Sequence, residues 1–308
     1  MKILITGNLG FVGHHITKEL YNRGHKVIGI DRVSNPVSDK QERIDLQKAW
    51  SIEQQDIDLA DISLVLSVVE LTKPDTIVHC AAQYSVSYTT ENCIRYVENN
   101  LAAHTYICEA CKVFDVPKMI FVSSSAVSTT QTPSGIYGAT KSYGEQCCHA
   151  YASRSKTKYV SVRLGPVYGP YSRMDAAPCV LLQQYLKSEQ IKKTKMFASH
   201  HPYIYSEDAG KIFSHLASMD PRLLPKRPMI LEVSANETHK SHVDILLAAQ
   251  KAVGLPINLP DNFDLHKYKE SDNKTDMESL HAVTKYIPET RMEVGVPKML
   301  EWLKRAMG

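Results

Sequence analysis

The stretch Lys2-Ile3-Leu4-Ile5-Thr6-Gly7-Asn8-Leu9-Gly10-Phe11-Val12-Gly13 decides the fold of this chain. Its apolar run predicts a strand, and a helical pattern follows over residues 11–23. Glycines in such a turn allow a tight reversal, let the backbone approach a pyrophosphate, and permit close helix–strand packing. The helix N-terminus adds free N–H groups and the positive end of its dipole. The spacing is G-x-x-G-x-x-G rather than the commoner G-x-G-x-x-G, so its strand-before, helix-after context carries the meaning. Asp31 ends the second predicted strand. A carboxylate there accepts hydrogen bonds from an adenosine ribose and repels a 2′-phosphate, which favours NAD over NADP. Arg32 beside it could instead grip a 2′-phosphate. Asp56-Ile57, after the third strand, is placed to meet the adenine.

Outward from this turn, strands are predicted over residues 2–6, 26–30, 50–55, 75–80, 118–124 and 159–164. Helices are predicted over 11–23, 61–72, 91–114 and 137–154. Strands separated by helices of this length imply right-handed crossovers and a doubly wound parallel α/β sheet. After Leu164 the rhythm breaks at Gly165-Pro166, Gly169-Pro170 and Pro178. Scattered helices follow near 178–189, 207–219, 241–253 and 293–306. Residues 1–165 are therefore expected to form the dinucleotide domain, and 166–308 a smaller cap whose chain crosses back to the sheet.

Composition excludes several classes. The 308 residues carry 36 Lys+Arg against 33 Asp+Glu, with 43% hydrophobic and 22% charged residues, which are ordinary globular values. A net charge of +3 without a dense basic block speaks against nucleic acid and membrane surfaces as partners. No apolar run approaches the roughly 20 residues a bilayer needs, and the N-terminal run is too short for a secretory signal. Seven cysteines (80, 93, 108, 111, 147, 148 and 179) fit reduced thiols in the cytoplasm. His104, Cys108 and Cys111 share a helical face, and Cys147-Cys148-His149 lies on a second helix. They read as packing residues rather than a shared zinc site, and no metal is expected. His14-His15 and His200-His201 suggest no metal either.

Tyr137-Gly138-Ala139-Thr140-Lys141 places a tyrosine and a lysine at i and i+4, on one helical face. The Lys141 ammonium would stabilise a phenolate on Tyr137, as would an oxidised nicotinamide, so the tyrosine could act as a base near neutral pH. The preceding strand ends in Ser123-Ser124-Ser125, at the strand edge where open α/β sheets bind ligands.

With these residues in order, the chain resembles the extended short-chain dehydrogenase/reductases, the family of nucleotide-sugar epimerases and dehydratases built on a Rossmann sheet. The glycine turn, Asp31, Asp56-Ile57, His79-Cys80-Ala81-Ala82, Asn100, Ser124, Tyr137/Lys141 and Arg163…Tyr168-Gly169-Pro170 carry the resemblance over residues 1–215 or so, with later echoes at Asp276, Pro288 and Gly295. Ala81-Ala82-Gln83, with Val86, Tyr88, Glu91-Asn92 and Tyr96, is similar to the UDP-glucuronate 4-epimerase branch. So is the segment from Val167 to Asp175.

The resemblance implies Ser124, Tyr137 and Lys141 as catalytic. It implies an NAD site made by Gly7, Leu9, Gly10, Phe11, Val12, Gly13, Asp31, Arg32, Asp56, Ile57, Cys80, Ala81, Ala82, Gln83, Asn100, Tyr137, Lys141, Pro166 and Val167. It places the sugar nucleotide against Ser85, Ser124, Ser125, Tyr137, Arg173 and Tyr205, with Arg173 on the sugar carboxylate. A guanidinium suits that task through two parallel hydrogen bonds. The implied reaction is a reversible oxidation at the sugar's fourth carbon, with NAD regenerated in each turnover. The helices over 91–114 and 137–154 match those that form a dimer bundle in relatives, which implies a homodimer.

Departures from the family fall on the sugar side. Ser124 and Tyr137 stand only 13 positions apart. Pro166 replaces a polar residue, His201-Pro202 an arginine region, and Ser128 a tyrosine. A 4,6-dehydratase needs an Asp-Glu pair after the catalytic serine, where this chain has Ser125-Ala126. A net dehydrogenase or reductase would release its cofactor. A dinucleotide-sensing regulator would have no use for Tyr137 and Lys141.

Overall fold

The computed structural model describes residues 1–33, 40–84, 89–127, 135–192, 197–261 and 263–308. The chain opens as β1 (Lys2–Thr6), α1 (Phe11–Asn22) and β2 (Lys26–Asp31). It continues through α2 (Gln41–Ala49), β3 (Glu53–Asp56), α3 (Ile62–Thr72) and β4 (Thr76–His79). A long rod follows, made of α4 (Thr90–Tyr96), a π-helical segment (Val97–Ala102) and α5 (Ala103–Val113). Then come β5 (Lys118–Ser124), α6 (Gly135–Ala152) and β6 (Lys158–Leu164). The remainder comprises β7 (Val167–Tyr168), α7 (Ala177–Leu186), β8 (Ile204–Tyr205), α8 (Ser206–Ser218), β9 (Met229–Val233), α9 (His242–Val253), α10 (Glu278–Thr284) and α11 (Met292–Met307).

Among the described residues, seven strands form one sheet in the order β3-β2-β1-β4-β5-β6-β9, parallel at every pairing. Both faces are covered, so the strands are apolar at successive positions rather than at alternate ones. Ile3 and Ile5 pack with Ile16, Leu20, Ile212 and Phe213 on one face. Leu4 and Ile28 pack with Val65, Ile107 and Phe121 on the other. A third core, built around Tyr168, Leu182, Tyr185, Leu246, Met299 and Leu303, fills the cap. The strand order reverses between β1 and β4, and the glycine turn leaves the carboxyl end of β1 there. Open α/β sheets hold their ligands at this switch point. No helix among the described residues is long and apolar enough to cross a membrane.

Several elements differ from the sequence expectation, among them the short β7, β8 and α10, which it did not include. The third strand is Glu53–Asp56 rather than 50–55, because Trp50 ends α2 and stacks on Tyr21. α2 was not anticipated: its buried residues are Arg43, Ile44 and Gln47, so it carries no apolar stripe to read. β9 was also missed. Its Met-Ile-Leu-Glu-Val run is short and follows the proline-rich stretch ending at Pro228, yet it completes the sheet beside β6.

Lys118, at the start of β5, has no solvent exposure. Its Nζ donates to the carbonyls of Leu216 (2.8 Å), Ala217 (3.0 Å) and Met219 (2.5 Å). Leu216 O also accepts from Met219 N (3.4 Å) and Ala217 O from Thr76 Oγ1 (3.3 Å), and a cation at the end of α8 meets the negative end of its dipole. Lys118→Met removes all three Nζ contacts and is expected to lower stability by roughly 2–4 kcal/mol. Lys112→Met, on an exposed helical pair, should stay within about 0.5 kcal/mol. Urea denaturation of both variants checks the contrast, and equal effects would refute the capping role.

Candidate active site

The turn after β1 is held by its own backbone. Gly10 N donates to Gly7 O (2.9 Å), and Gly7 N reaches across to Ile30 O (2.7 Å). Gly7 has φ +71°, and a Cβ on it would stand 2.8 Å from the Ala81 backbone. A Cβ on Gly13 would stand 2.0 Å from Gly7 O, so α1 could not come this close to β1 with any other residue there. No side chain caps α1, which leaves its first N–H groups open at the switch point. An uncapped helix start behind a side-chain-free turn fits a dinucleotide pyrophosphate. Phe11 and Val12 are half-buried beside it, whereas the Leu9 side chain is in the core.

Polar side chains brace this turn from behind. Arg43 Nε donates to Leu9 O (2.7 Å), and Gln47 Nε2 donates to Asn8 O (2.9 Å). The Asn8 amide donates to Gln47 Oε1 (2.7 Å) and Gln54 Oε1 (2.6 Å). This explains the polar buried face of α2. Asp31 accepts from Leu9 N (3.1 Å), Arg32 N (2.9 Å) and Lys40 Nζ (2.7 Å). Its carboxylate is thus fixed at the end of β2, where a ribose hydroxyl would meet it. Arg32 reaches Asp58 (3.4 Å), and Asp56 accepts from Val33 N (2.8 Å), with Ile57 half-buried next to it.

Beyond β4, Cys80 N donates to Thr6 O (3.2 Å) and Ala81 N to Thr6 Oγ1 (3.2 Å), which lays residues 80–83 alongside the turn. Burial pushes the Cys80 thiol up to about 11, so it is neutral. Asn100 sits in the π-helical segment, a kind of irregularity often found at functional sites. Its Oδ1 accepts from Gln83 N (2.6 Å), and its Nδ2 donates to Gln83 O (3.0 Å) and Thr140 Oγ1 (3.0 Å). Asn100 therefore ties this loop, Ala82 and Gln83 included, to α6.

Tyr137 and Lys141 lie one turn apart on α6, opposite Ser124 at the end of β5. The Ser124 hydroxyl hydrogen-bonds the Tyr137 side chain. Lys141 Nζ donates to Val122 O (2.7 Å) and lies 5.6 Å from the Tyr137 ring centre. Burial raises the Tyr137 phenol well above its ordinary value and lowers Lys141 to about 8. Both shifts express the same cause: charge is costly in this cleft. One turn beyond Lys141, the Glu145 carboxylate accepts from Ser123 Oγ (2.6 Å) and from Arg163 Nη2 (2.8 Å).

On the open side of Tyr137, the Tyr84 ring stands edge-on at 5.0 Å. Arg173 Nη1 donates to Tyr84 O (3.0 Å), and its guanidinium lies 5.8 Å from the centre of that ring. The Arg173 fork also holds Asp175 through Nε (2.9 Å) and Nη2 (2.5 Å). Ser125 is exposed after β5. Pro166 O accepts from Ile204 N (2.9 Å), and Val167 pairs with Ile204 in the small β7–β8 sheet. Tyr205 does not join the cleft: it is 1% exposed, against Tyr168 and under Lys298. Ser85 and Ser128 lie outside the described residues.

The sequence did not single out Lys40, Arg43, Tyr84, Glu145 or Asp175. Glu145 was accessible, since it lies i+8 from Tyr137 and i+4 from Lys141 on the same face. The others depend on chain crossings that local pattern does not carry.

With this geometry in hand, the chain is matched over residues 3–225 by the model of the NAD dependent epimerase/dehydratase family, and it belongs to that family. It is 26% identical to a probable UDP-glucuronate 4-epimerase of Rhizobium meliloti, over 98% of this chain and 96% of that one. It is 25% identical to the protein CapI of Staphylococcus aureus, over 98% of each. Among solved structures it superimposes on the UDP-glucuronic acid 4-epimerase of Bacillus cereus in complex with UDP-glucuronic acid and NAD. That match has a TM-score of 0.86 at 24% identity, covering 99% of this chain and all of that one.

The lowered Lys141 value has a measurable consequence. Between pH 8 and 10.5 the unfolded chain holds a proton that the folded chain has lost, so the lysine's destabilising effect fades as pH rises. The stability of Lys141→Met relative to wild type should accordingly be greater at pH 7 than at pH 10.5, by roughly 2–4 kcal/mol. Urea denaturation at the two pH values measures it. A pH-independent difference would contradict burial of the ammonium.

Proposed function

We propose that the protein is an NAD-dependent nucleotide-sugar 4-epimerase acting on UDP-glucuronate. The observation that carries this reading is the convergence of Ser124, Tyr137, Lys141 and Arg173 on one cleft beside the glycine turn. NAD, when bound, accepts a hydride from the sugar's fourth carbon and returns it. Tyr137 takes the proton of the 4-hydroxyl, and Ser124 holds the same oxygen in line. Lys141 keeps positive charge beside the phenol, which burial otherwise holds protonated. Gly7, Gly10 and Gly13 would seat the pyrophosphate, and Asp31 would seat the ribose. Tyr137 would return the proton to the same oxygen as the reaction reverses on the other face of the sugar.

Arg173 selects the substrate. Its fork already binds one carboxylate, that of Asp175, in the geometry a sugar carboxylate would use. A uronate can exchange with Asp175, whereas a neutral hexose has nothing to offer the guanidinium. The likeness to uronate epimerases named above supports the same substrate.

We further propose that residues 1–165 and 166–308 divide the labour between cofactor and sugar nucleotide. In this proposal the protein is a homodimer joined through α4, α5 and α6. Ile94, Val97, Val113, Ile136 and Tyr143 are exposed on those helices. A cytoplasmic location is supported by cysteines that stand unbridged even where they adjoin, as Cys108 and Cys148 do.

Purified protein incubated with UDP-glucuronate and no added cofactor should convert it to the 4-epimer, read by NMR of the sugar nucleotide. Tyr137→Phe should reduce turnover by about 10²–10⁴-fold. Arg173→Ala should lower kcat/KM on UDP-glucuronate by roughly 10–100-fold, as expected for a charged hydrogen bond, with little change on UDP-glucose. An equal loss on both sugars would overturn the role of Arg173. No turnover of any UDP-sugar would overturn the function.

A further inference from the structure

α5 and α6 pack face to face and bring together three soft ligands from the two helices, with a further cysteine beside them. His104 and Cys108 lie one turn apart on α5, and Cys147 and Cys148 are adjacent on α6. His104 Nε2 is 3.5 Å from Cys108 Sγ and 3.7 Å from Cys148 Sγ. The ligand atoms of His104, Cys108 and Cys147 all lie within 4.8 Å of one another. Cys147 and Cys148 are the nearest interacting thiols of Cys108.

These separations match a known coordination figure. With zinc bonds of about 2.3 Å to sulfur and about 2.0 Å to nitrogen, a tetrahedron has N···S edges of about 3.5 Å and S···S edges of about 3.8 Å. The His104–Cys108 distance of 3.5 Å matches the first value. We propose that His104, Cys108 and Cys147 form a binding site for a soft divalent cation of the zinc class, with the imidazole Nε2 and the two sulfurs as its ligands.

The surroundings support that assignment. His104 is buried between Phe121 (4.3 Å between ring centres) and His79 (5.2 Å), which fixes the plane of the imidazole and aims Nε2 at the sulfurs. With Nε2 on the ion the ring proton sits on Nδ1, which has no hydrogen-bond partner among the described residues. Gly144 creates the room: a Cβ there would stand 2.6 Å from the Phe121 ring and 3.4 Å from His104 Cε1. His104, Cys108 and Cys148 are buried, while Cys147 is half-buried and gives an ion a way in. Thr105 Oγ1, 3.9 Å from Cys147 Sγ, can hold that sulfur on the outer side. The ion displaces the protons of the thiols that ligate it and leaves no oxidation state changed. Two thiolates cancel its charge, which suits a dry site. Cys111 is buried on the next turn of α5 and stays outside the set.

The sequence alone favoured packing for these residues, since one helical face of His and Cys has no partner until the fold supplies α6. A bound ion would pin α5 to α6, the helix that carries Tyr137.

The test is a titration of the full-length, reduced protein with Co²⁺ under anaerobic conditions. The expected result is one cobalt per chain, with a thiolate-to-cobalt charge-transfer band and the intense visible bands of tetrahedral cobalt, both abolished by added Zn²⁺. Cys108→Ser should remove the signal. Cys147→Ser, a substitution at the half-buried position that the fold tolerates more readily, should weaken cobalt binding at least tenfold while leaving epimerase turnover unchanged. Absence of the charge-transfer band in wild type would overturn the site, and so would a spectrum unaltered by Cys147→Ser. A Cys108–Cys147 disulfide in the metal-free protein as isolated, found by mass spectrometry without reduction, would also overturn it.

Discussion

The registry of α6 against β5 is the constraint on which the active site depends. Tyr137 reaches Ser124 only if that helix is fixed both along its axis and about it. Two charged residues on the Tyr137 face do this, one turn apart. Lys141 grips the Val122 carbonyl, and the buried Glu145 grips Ser123 Oγ and the Arg163 guanidinium. Lys141 is 3% exposed and so is Glu145. Burial makes these contacts directional and intolerant of sliding, because a shift would strand a charge in the interior. The same burial raises the phenol of Tyr137 and lowers the ammonium of Lys141. Position and chemistry of the site thus have one origin.

A second anchor holds the glycine turn. The glycines of the turn have no side chains to fix it against the fold, and much of the fixing falls to α2. Arg43 and Gln47 hold consecutive carbonyls of the turn, and Asn8 closes the network toward β3 through Gln54. The front of the turn is left to a ligand while its back is hydrogen-bonded to α2 and β3, with Asn8 Oδ1 alone in this network lacking a partner among the described residues. Each of these contacts matters, since a buried polar group that loses its partner costs about 1–3 kcal/mol.

What the sequence made legible follows from range. The glycine turn, Asp31 and the Tyr137/Lys141 pair are local patterns whose meaning comes from the strand or helix they sit in, and the fold class followed from them. α2 escaped because its buried face is polar, made so by the turn it serves. β9 escaped because a short edge strand after prolines resembles a loop until β6 offers it a partner. Tyr205 lies in the core of the cap, since a tyrosine beside a sheet edge can face either cleft or core and nothing nearby in sequence decides which. Tyr84, Asp175 and Glu145 acquire roles only through contacts across the fold.

The Arg173–Asp175 pair gives the proposed uronate specificity a physical form. An arginine facing an empty pocket would keep an unpaired charge poised for any acceptor, water included. Here the guanidinium is preoriented on Tyr84 O and occupied by an internal carboxylate, so binding becomes an exchange of like for like. Exchange lowers the net gain from the contact, because the Asp175 interaction must be given up. A neutral sugar leaves the pair in place and gains nothing from Arg173. At an exposed site the Arg173–Asp175 pair is worth only about 0–1 kcal/mol, small enough for an incoming uronate to displace. Discrimination therefore comes chiefly from the charged contact that a uronate gains at Arg173, and a neutral sugar does not, once the cleft has excluded water.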